Sequence, residues 1–293
     1  MGLDINGIRL LLNAKQLNIN FEKVITIGRQ GMNVREKDFH ELLIKSELKA
    51  IKLERYFESF FELLGAKTID SLDASNYEGA TIIHDMNLPL PAKYKGLYTL
   101  VVDGGSLEHI FNFPIAIKNC MELIENNGYY IGITPANNFF GHGFYQFSPE
   151  LYYRVFSESN GFKVIKMYFY IDQKNGKTPV FEISDPNDVK SRVNMQNSYR
   201  SYLFVIAQKI EEKEIFKKIP QQSDYEHIVW KHLPYNKTSL RAKSYGFLKR
   251  LIPANFRNIA HQIKVRYKLL FQSIGLFNSE FFKETKEKIA NKG

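Results

Sequence analysis

Between residues 21 and 208 short β-branched runs alternate with segments of helical period, and several runs stop at a glycine or lie beside an aspartate. A chain patterned this way has few folds open to it, because parallel strands need crossover helices and both sheet faces must then be covered. The runs fall at 21–28, 67–72, 80–84, 97–102, 129–134, 162–170 and 202–208. Helical spacing falls on 5–18, where Ile8, Leu11 and Leu12 recur, on 36–64, closed by Gly65 in a C-cap position, and on 113–124 and 149–158. The expected fold is α/β, an open, mostly parallel sheet with helices on its faces. The last two strands are joined by a polar, Pro- and Asn-containing segment without a clear helix, so they are expected as an antiparallel hairpin at one sheet edge with a long, mobile connection. No internal repeat is visible.

The 293 residues are 44% hydrophobic and 24% charged, which excludes disordered and low-complexity classes and allows one large domain with appendages. The expected division is an N-terminal helical segment, 1–22, an α/β domain, 23–210, and a basic, mainly helical C-terminal extension, 211–293. A single cysteine, Cys120, allows no internal disulfide and no cysteine-built metal site, so a reducing compartment is expected. No apolar run approaches the ~20 residues needed to span a bilayer. Asp4 stands where a signal peptide would be basic, and Asn6 stands where a myristoylation motif asks for Ser or Thr. The expectation is a cytoplasmic protein.

The formal charge of +9 is unevenly placed. Residues 1–239 hold 28 Lys+Arg against 28 Asp+Glu, while residues 240–293 hold 12 against 3. Over 240–275 there are eight cations and no carboxylate. On a helix expected over 255–271, Phe256, Ile259, Ala260, Ile263, Tyr267 and Leu270 share one face, and Arg257, His261, Lys264 and Lys268 the other. Such a helix suits an anionic membrane interface. A helix packed on the domain with a solvated basic face is the plainer reading. Nucleic acid is not expected, since no DNA- or RNA-binding motif accompanies the patch.

In an open α/β sheet, ligands bind outside the carboxyl ends of the strands, where the strand order reverses. The residues there are Gly28-Arg29-Gln30, Asp73, Asp85, Asp103-Gly104-Gly105 and Thr134-Pro135-Ala136-Asn137-Asn138. Taken singly, an aspartate in such a place is most often a cap or turn residue. Together the pieces resemble the class I S-adenosylmethionine-dependent methyltransferases, in the branch met with surface-glycan biosynthesis. The resemblance covers about residues 20–210. It rests on Val24-Ile25-Thr26-Ile27-Gly28, Ser71-Leu72-Asp73, Ile83-His84-Asp85-Met86-Asn87-Leu88-Pro89, Val101-Val102-Asp103-Gly104-Gly105-Ser106-Leu107-Glu108-His109-Ile110 and Asn127-Gly128-Tyr129-Tyr130-Ile131-Gly132-Ile133-Thr134-Pro135. His142-Gly143-Phe144-Tyr145-Gln146-Phe147-Ser148-Pro149-Glu150 and Asn160-Gly161-Phe162 look like the family's entry to its sixth strand.

The resemblance implies a Rossmann-like methyltransferase fold with S-adenosylmethionine as cofactor. Asp73 would accept hydrogen bonds from the ribose hydroxyls, and Asp85 would hold the adenine amino group. Gly28 would let the backbone approach the methionine end, which Asp103 and Gly104 would border. The first loop departs from the family's Gly-x-Gly-x-Gly, reading Gly28-Arg29-Gln30-Gly31-Met32-Asn33, so the Arg29 and Gln30 side chains must turn away for a close cofactor contact. Near the expected mouth the available bases are His109, His142 and Glu108. The two histidines are preferred as catalytic groups because they titrate near neutrality, although Glu108 and His109 could simply cap or brace a helix. Zinc-ligand spacing, a nucleophile elbow and a full phosphate loop are not seen. The implied activity is O-methylation of a sugar, glycan or lipid-linked glycan acceptor, with an anionic membrane surface as possible partner through 240–275. The alternative is a methyltransferase-fold protein without catalysis, serving as a binding or scaffold subunit at the membrane surface.

Overall fold

The computed structural model describes residues 2–172, 180–226 and 282–284. In chain order the first part contains β1 (Gly2–Leu3), α1 (Ile5–Gln16), β2 (Lys23–Ile27), β3 (Gly31–Met32), α2 (Glu36–Lys45), α3 (Glu58–Leu63), β4 (Thr68–Asp73) and β5 (Ile82–Ile83). Then come β6 (Tyr98–Asp103), α4 (Phe113–Leu123), β7 (Ile124–Asn137), α5 (Pro149–Val155), β8 (Phe162–Ile171), β9 (Val180–Ile183), β10 (Ser201–Lys209), α6 (Ser223–Glu226) and β11 (Phe282–Glu284).

Nine strands form one sheet in the order β11-β9-β8-β10-β7-β6-β2-β4-β5. From β5 to β7 neighbouring strands are parallel, and β10 runs antiparallel between β7 and β8. Leaving out β10, the order from β5 to β8 is the 3-2-1-4-5-6 of a Rossmann sheet. The order reverses between β2 and β6. Ile27 stands opposite both Leu72 and Asp103, Asp73 opposite Ile83, and Asp103 opposite Gly132, so these carboxyl ends are level.

Period-two alternation gives each strand two apolar faces. Ile25, Ile27, Val101 and Tyr130 pack with α4 and α5, while Val24, Leu100, Val102, Ile131 and Ile133 pack with α1, α2 and α3. Helix α1 starts at Asp4, whose carboxylate accepts from the backbone N–H groups of Asn6 and Gly7. Its Ile8, Leu10, Leu11 and Ala14 lie fully in the second core. Leu3, just ahead of it, pairs as β1 with Met32 of β3 and is held over the strand ends.

Three expectations need correction. The helix expected over 36–64 is two helices, because Glu47 takes a left-handed φ of 57° and the amides of Ser46 and Leu48 close on Leu42 and Leu43. Gly65 does cap α3: its φ is 106°, and the Ala66 N–H reaches back to the Phe61 carbonyl in a Schellman closure. The antiparallel hairpin is not the sheet's edge, since β10 is inserted between β7 and β8, and β9 and β11 continue beyond β8. Strand β9 lies in the connection expected to be long, mobile and without a clear helix. The amphipathic segment 255–271 lies outside the described residues.

Candidate functional site

The level strand ends bring the expected residues to one rim. Gly28 has a φ of 67°, and its N–H donates to the Leu72 carbonyl at 2.7 Å, so the chain turns off β2 in a conformation that a side chain would strain. Asp73 is half-buried, and its Oδ1 accepts the Ser75 N–H at 3.1 Å. The neighbouring strand is tied in where the His84 N–H reaches the Asp73 carbonyl at 2.8 Å. Asp85 is exposed, and its Oδ1 accepts both the N–H and the side-chain amide of Asn87. Those bonds lower its pKa and keep it ionised.

The two residues after Gly28 behave oppositely. Arg29 turns away: its Nε donates to Glu58 at 2.7 Å, Nη1 donates to the Glu78 carbonyl at 2.8 Å, and the guanidinium lies 3.9 Å over the Tyr56 ring. Gln30 turns inward and is buried, and its amide N–H donates to the Ile27 carbonyl at 2.7 Å. Its Oε1 is buried and carries no hydrogen bond among the described residues. A Cβ on Gly104 would overlap that oxygen and come within 2.7 Å of Leu3 Cδ2. The absence of a side chain at Gly104 is therefore used by Gln30 and Leu3.

Asp103 does not face the opening as expected. It is fully buried, with Oδ1 accepting the Ser106 N–H at 2.8 Å and Oδ2 accepting the Tyr130 hydroxyl at 3.3 Å. Gly132 leaves the space for that phenol, since a Cβ there would lie 2.5 Å from the Tyr130 oxygen. Burial raises the Asp103 pKa and those of the Tyr130 and Tyr152 phenols around it. Asp103 braces the turn after β6 from inside the core.

The turn it braces carries Glu108 and His109, and the loop after β7 folds down onto it. The amides of Phe144 and Tyr145 both donate to the Glu108 carbonyl, at 2.7 and 3.3 Å. Gly143 makes this approach possible with a φ of 70°, because a Cβ there would sit 2.7 Å from that carbonyl oxygen. The Tyr145 hydroxyl ties the loop to the Phe111 carbonyl at 2.6 Å, and the Phe147 N–H closes it on Pro135 at 2.8 Å. His142 thereby reaches His109, ring centroids 4.9 Å apart at 70°, and its Nε2 lies 3.5 Å from Glu108 Oε1. Glu108 is 2% exposed while both imidazoles are open to solvent. Burial, then the nearby Asp103 carboxylate, pushes the Glu108 pKa up. Desolvation, then His142, pushes that of His109 down.

The structure thus gathers Gly28, Asp73 and Asp85 at the rim, buries Asp103 and, beneath Gln30 and Leu3, Gly104, and joins His109 to His142, with Glu108 beneath them. Gln30 and Tyr130 were not legible as site residues. The only signal for Gln30 was a polar residue in place of a loop glycine. A cleft of about 930 Å³ lies elsewhere, where Arg154 is already paired to Asp185.

No family model and no curated protein sequence matches the chain. Among solved structures the chain is similar to a Bacillus halodurans C-125 protein that carries the name methyltransferase, at 10% identity and a TM-score of 0.40, over 68% of this chain and 99% of that one. It is similar to the Burkholderia thailandensis 1,6-didemethyltoxoflavin-N1-methyltransferase, solved with S-adenosylhomocysteine, at 12% identity and a TM-score of 0.38, over 70% and 77% of the two chains. A S-adenosylmethionine-dependent methyltransferase of Aquifex aeolicus gives 9% identity and a TM-score of 0.35, over 70% and 94%.

Proposed function

We propose that this protein transfers the methyl group of S-adenosylmethionine to an oxygen of a sugar, glycan or lipid-linked glycan acceptor. The observation that carries the cofactor is the switch point between β2 and β6, with Gly28 at positive φ and two carboxylates on the same side, Asp73 ending β4 and Asp85 just beyond β5. The orphaned Gln30 oxygen supports the fit, since a buried acceptor without a donor is costly and an amino-acid ammonium group would satisfy it. In this reading Asp73 binds the ribose hydroxyls, Asp85 the adenine amino group and Gln30 the ammonium group. When bound, the cofactor supplies a methyl carbon whose bond to sulfur breaks as the acceptor oxygen bonds to it. The chain's own tasks are to hold that oxygen in line and to remove its proton, and the His109–His142 pair stands at the mouth to receive it.

The sugar or glycan acceptor rests on the resemblance of the quoted motifs, and the membrane on the charge placement. With eight cations and no carboxylate over 240–275, we place the protein on the anionic inner face of the cytoplasmic membrane. No helix among the described residues is long and apolar enough to cross a membrane. The contact proposed is peripheral because no apolar run in the sequence approaches the ~20 residues a span needs.

Calorimetry with S-adenosylhomocysteine tests the cofactor. Asp73→Ala should weaken binding by about 1.5–3 kcal/mol, the scale of a hydrogen bond to a charged group. Equal binding by the two proteins would refute the ribose assignment. No binding by the wild type would leave a scaffold that keeps the fold without the chemistry.

A further inference from the structure

We propose that Glu108, His109 and His142 hold a divalent first-row transition-metal cation at the mouth of the switch point. Two elements distant in sequence build the cluster, the turn after β6 and the loop after β7, and their candidate ligand atoms all lie within 4.8 Å of one another. Donors about 2.0–2.2 Å from one cation stand at most about 4.4 Å apart, so rotations of the two exposed imidazoles bring the three into range. Two imidazoles and one carboxylate are a donor set for zinc, iron, cobalt or manganese rather than for magnesium or calcium.

Independent support comes from the state of Glu108. Its carboxylate is 2% exposed, its Oε2 carries no hydrogen bond among the described residues, and its Oε1 lies 3.5 Å from His142, too far for a strong hydrogen bond. A buried carboxylate left this way is expensive, and a coordinated cation removes the cost. The surrounding backbone also keeps the site clear. Gly105 and Gly143 are both at positive φ, and a Cβ on either would lie 3.2 Å from a Glu108 side-chain atom. A buried carboxylate floor with two solvent-facing imidazoles leaves coordination positions open, as in catalytic rather than structural metal sites. With the cation bound, the two imidazoles would be ligands rather than the proton acceptors; in the methyl-transfer reading an acceptor oxygen would take an open position and release its proton to water more easily there, and that consequence alone rests on the cofactor assignment.

The test uses untagged full-length protein stripped with a chelator and dialysed. Cobalt(II) is titrated in, followed by calorimetry and by visible absorption, with Mg²⁺ present to occupy weak carboxylate sites. One equivalent should bind at micromolar concentration or below, and His109→Ala, His142→Ala and Glu108→Gln should each weaken it by at least about 100-fold. Both histidines are exposed, so their variants keep the fold, which circular dichroism checks. Binding only at millimolar cobalt would overturn the proposal. So would binding that survives the double His109→Ala/His142→Ala change, which would mark an adventitious cation only. Measuring S-adenosylhomocysteine binding on the same preparations separates the two assignments. Cobalt binding without it overturns the cofactor alone, and the reverse result overturns the metal alone.

Discussion

Gly141 and Gly143 lie two residues apart in the same exposed loop, yet alanine should be harmless at one and damaging at the other. At Gly143 the φ of 70° costs an alanine about 1–2 kcal/mol. The added Cβ would stand 2.7 Å from the Glu108 carbonyl oxygen and 3.1 Å from its carbon, distances at which backbone must move. Moving it stretches the two amide bonds from Phe144 and Tyr145 to that carbonyl, each worth about 1 kcal/mol. The total comes to about 3–4 kcal/mol, less whatever the loop recovers by lifting off the turn. At Gly141 nothing lies within 4 Å and φ is not positive, so the change should stay within about 0.5 kcal/mol of wild type. Urea unfolding reads the difference, as a midpoint lowered by roughly 1 M for Gly143→Ala with an unchanged slope. Proteolysis of the 138–147 loop reports any local lifting. Equal midpoints and equal cleavage for the two variants would refute the account of how this loop is held on Glu108.

Gly104→Ala should destabilise through its overlap with Gln30 and Leu3, and the loss should shrink by about 0.5–3 kcal/mol in a Gln30→Ala background; strict additivity of the two changes in thermal unfolding would dissolve the contact. Tyr130→Phe removes a donor from the buried Asp103 carboxylate and should cost about 1–3 kcal/mol in chemical denaturation, whereas an unchanged midpoint would mean that Asp103 does not depend on that phenol. For the membrane proposal, co-sedimentation should rise with the anionic lipid content of vesicles and fall in high salt. It should be lost when Lys243, Lys249, Arg250, Arg257, Lys264, Arg266 and Lys268 are changed to Gln. Neutralisation serves better than truncation, because β11 lies beyond the basic segment and pairs with β9.

The sheet was legible because its strands are strongly patterned. Val24, Ile25 and Ile27, or Leu100, Val101 and Val102, bury both faces of a parallel strand, and such runs stand out in a chain with few other β-branched clusters. The short strands were not, since two residues at Gly2–Leu3 or three at Phe282–Glu284 carry no period, and their pairing is decided by backbone neighbours far along the chain. At the site, Asp73 and Asp85 followed from strand ends. The inward turn of Asp103 did not, because it depends on Tyr130 reaching across a gap that Gly132 leaves open. The meeting of Glu108 with His142 was equally hidden. It is fixed by a glycine's left-handed turn and two amide bonds to one carbonyl, not by spacing between ligands.

Strand β9 has β8 on one side and β11 on the other, and about a hundred residues of chain separate β9 from β11. At about 5–20 residues per second, a ribosome takes roughly 5–20 seconds to go from one to the other. During that interval Val180–Ile183 offers an open edge to the crowded surroundings of the nascent chain. Chaperone demand during synthesis should therefore centre on this edge, and a chain stalled after β10 has left the ribosome but before β11 is made should clump through it.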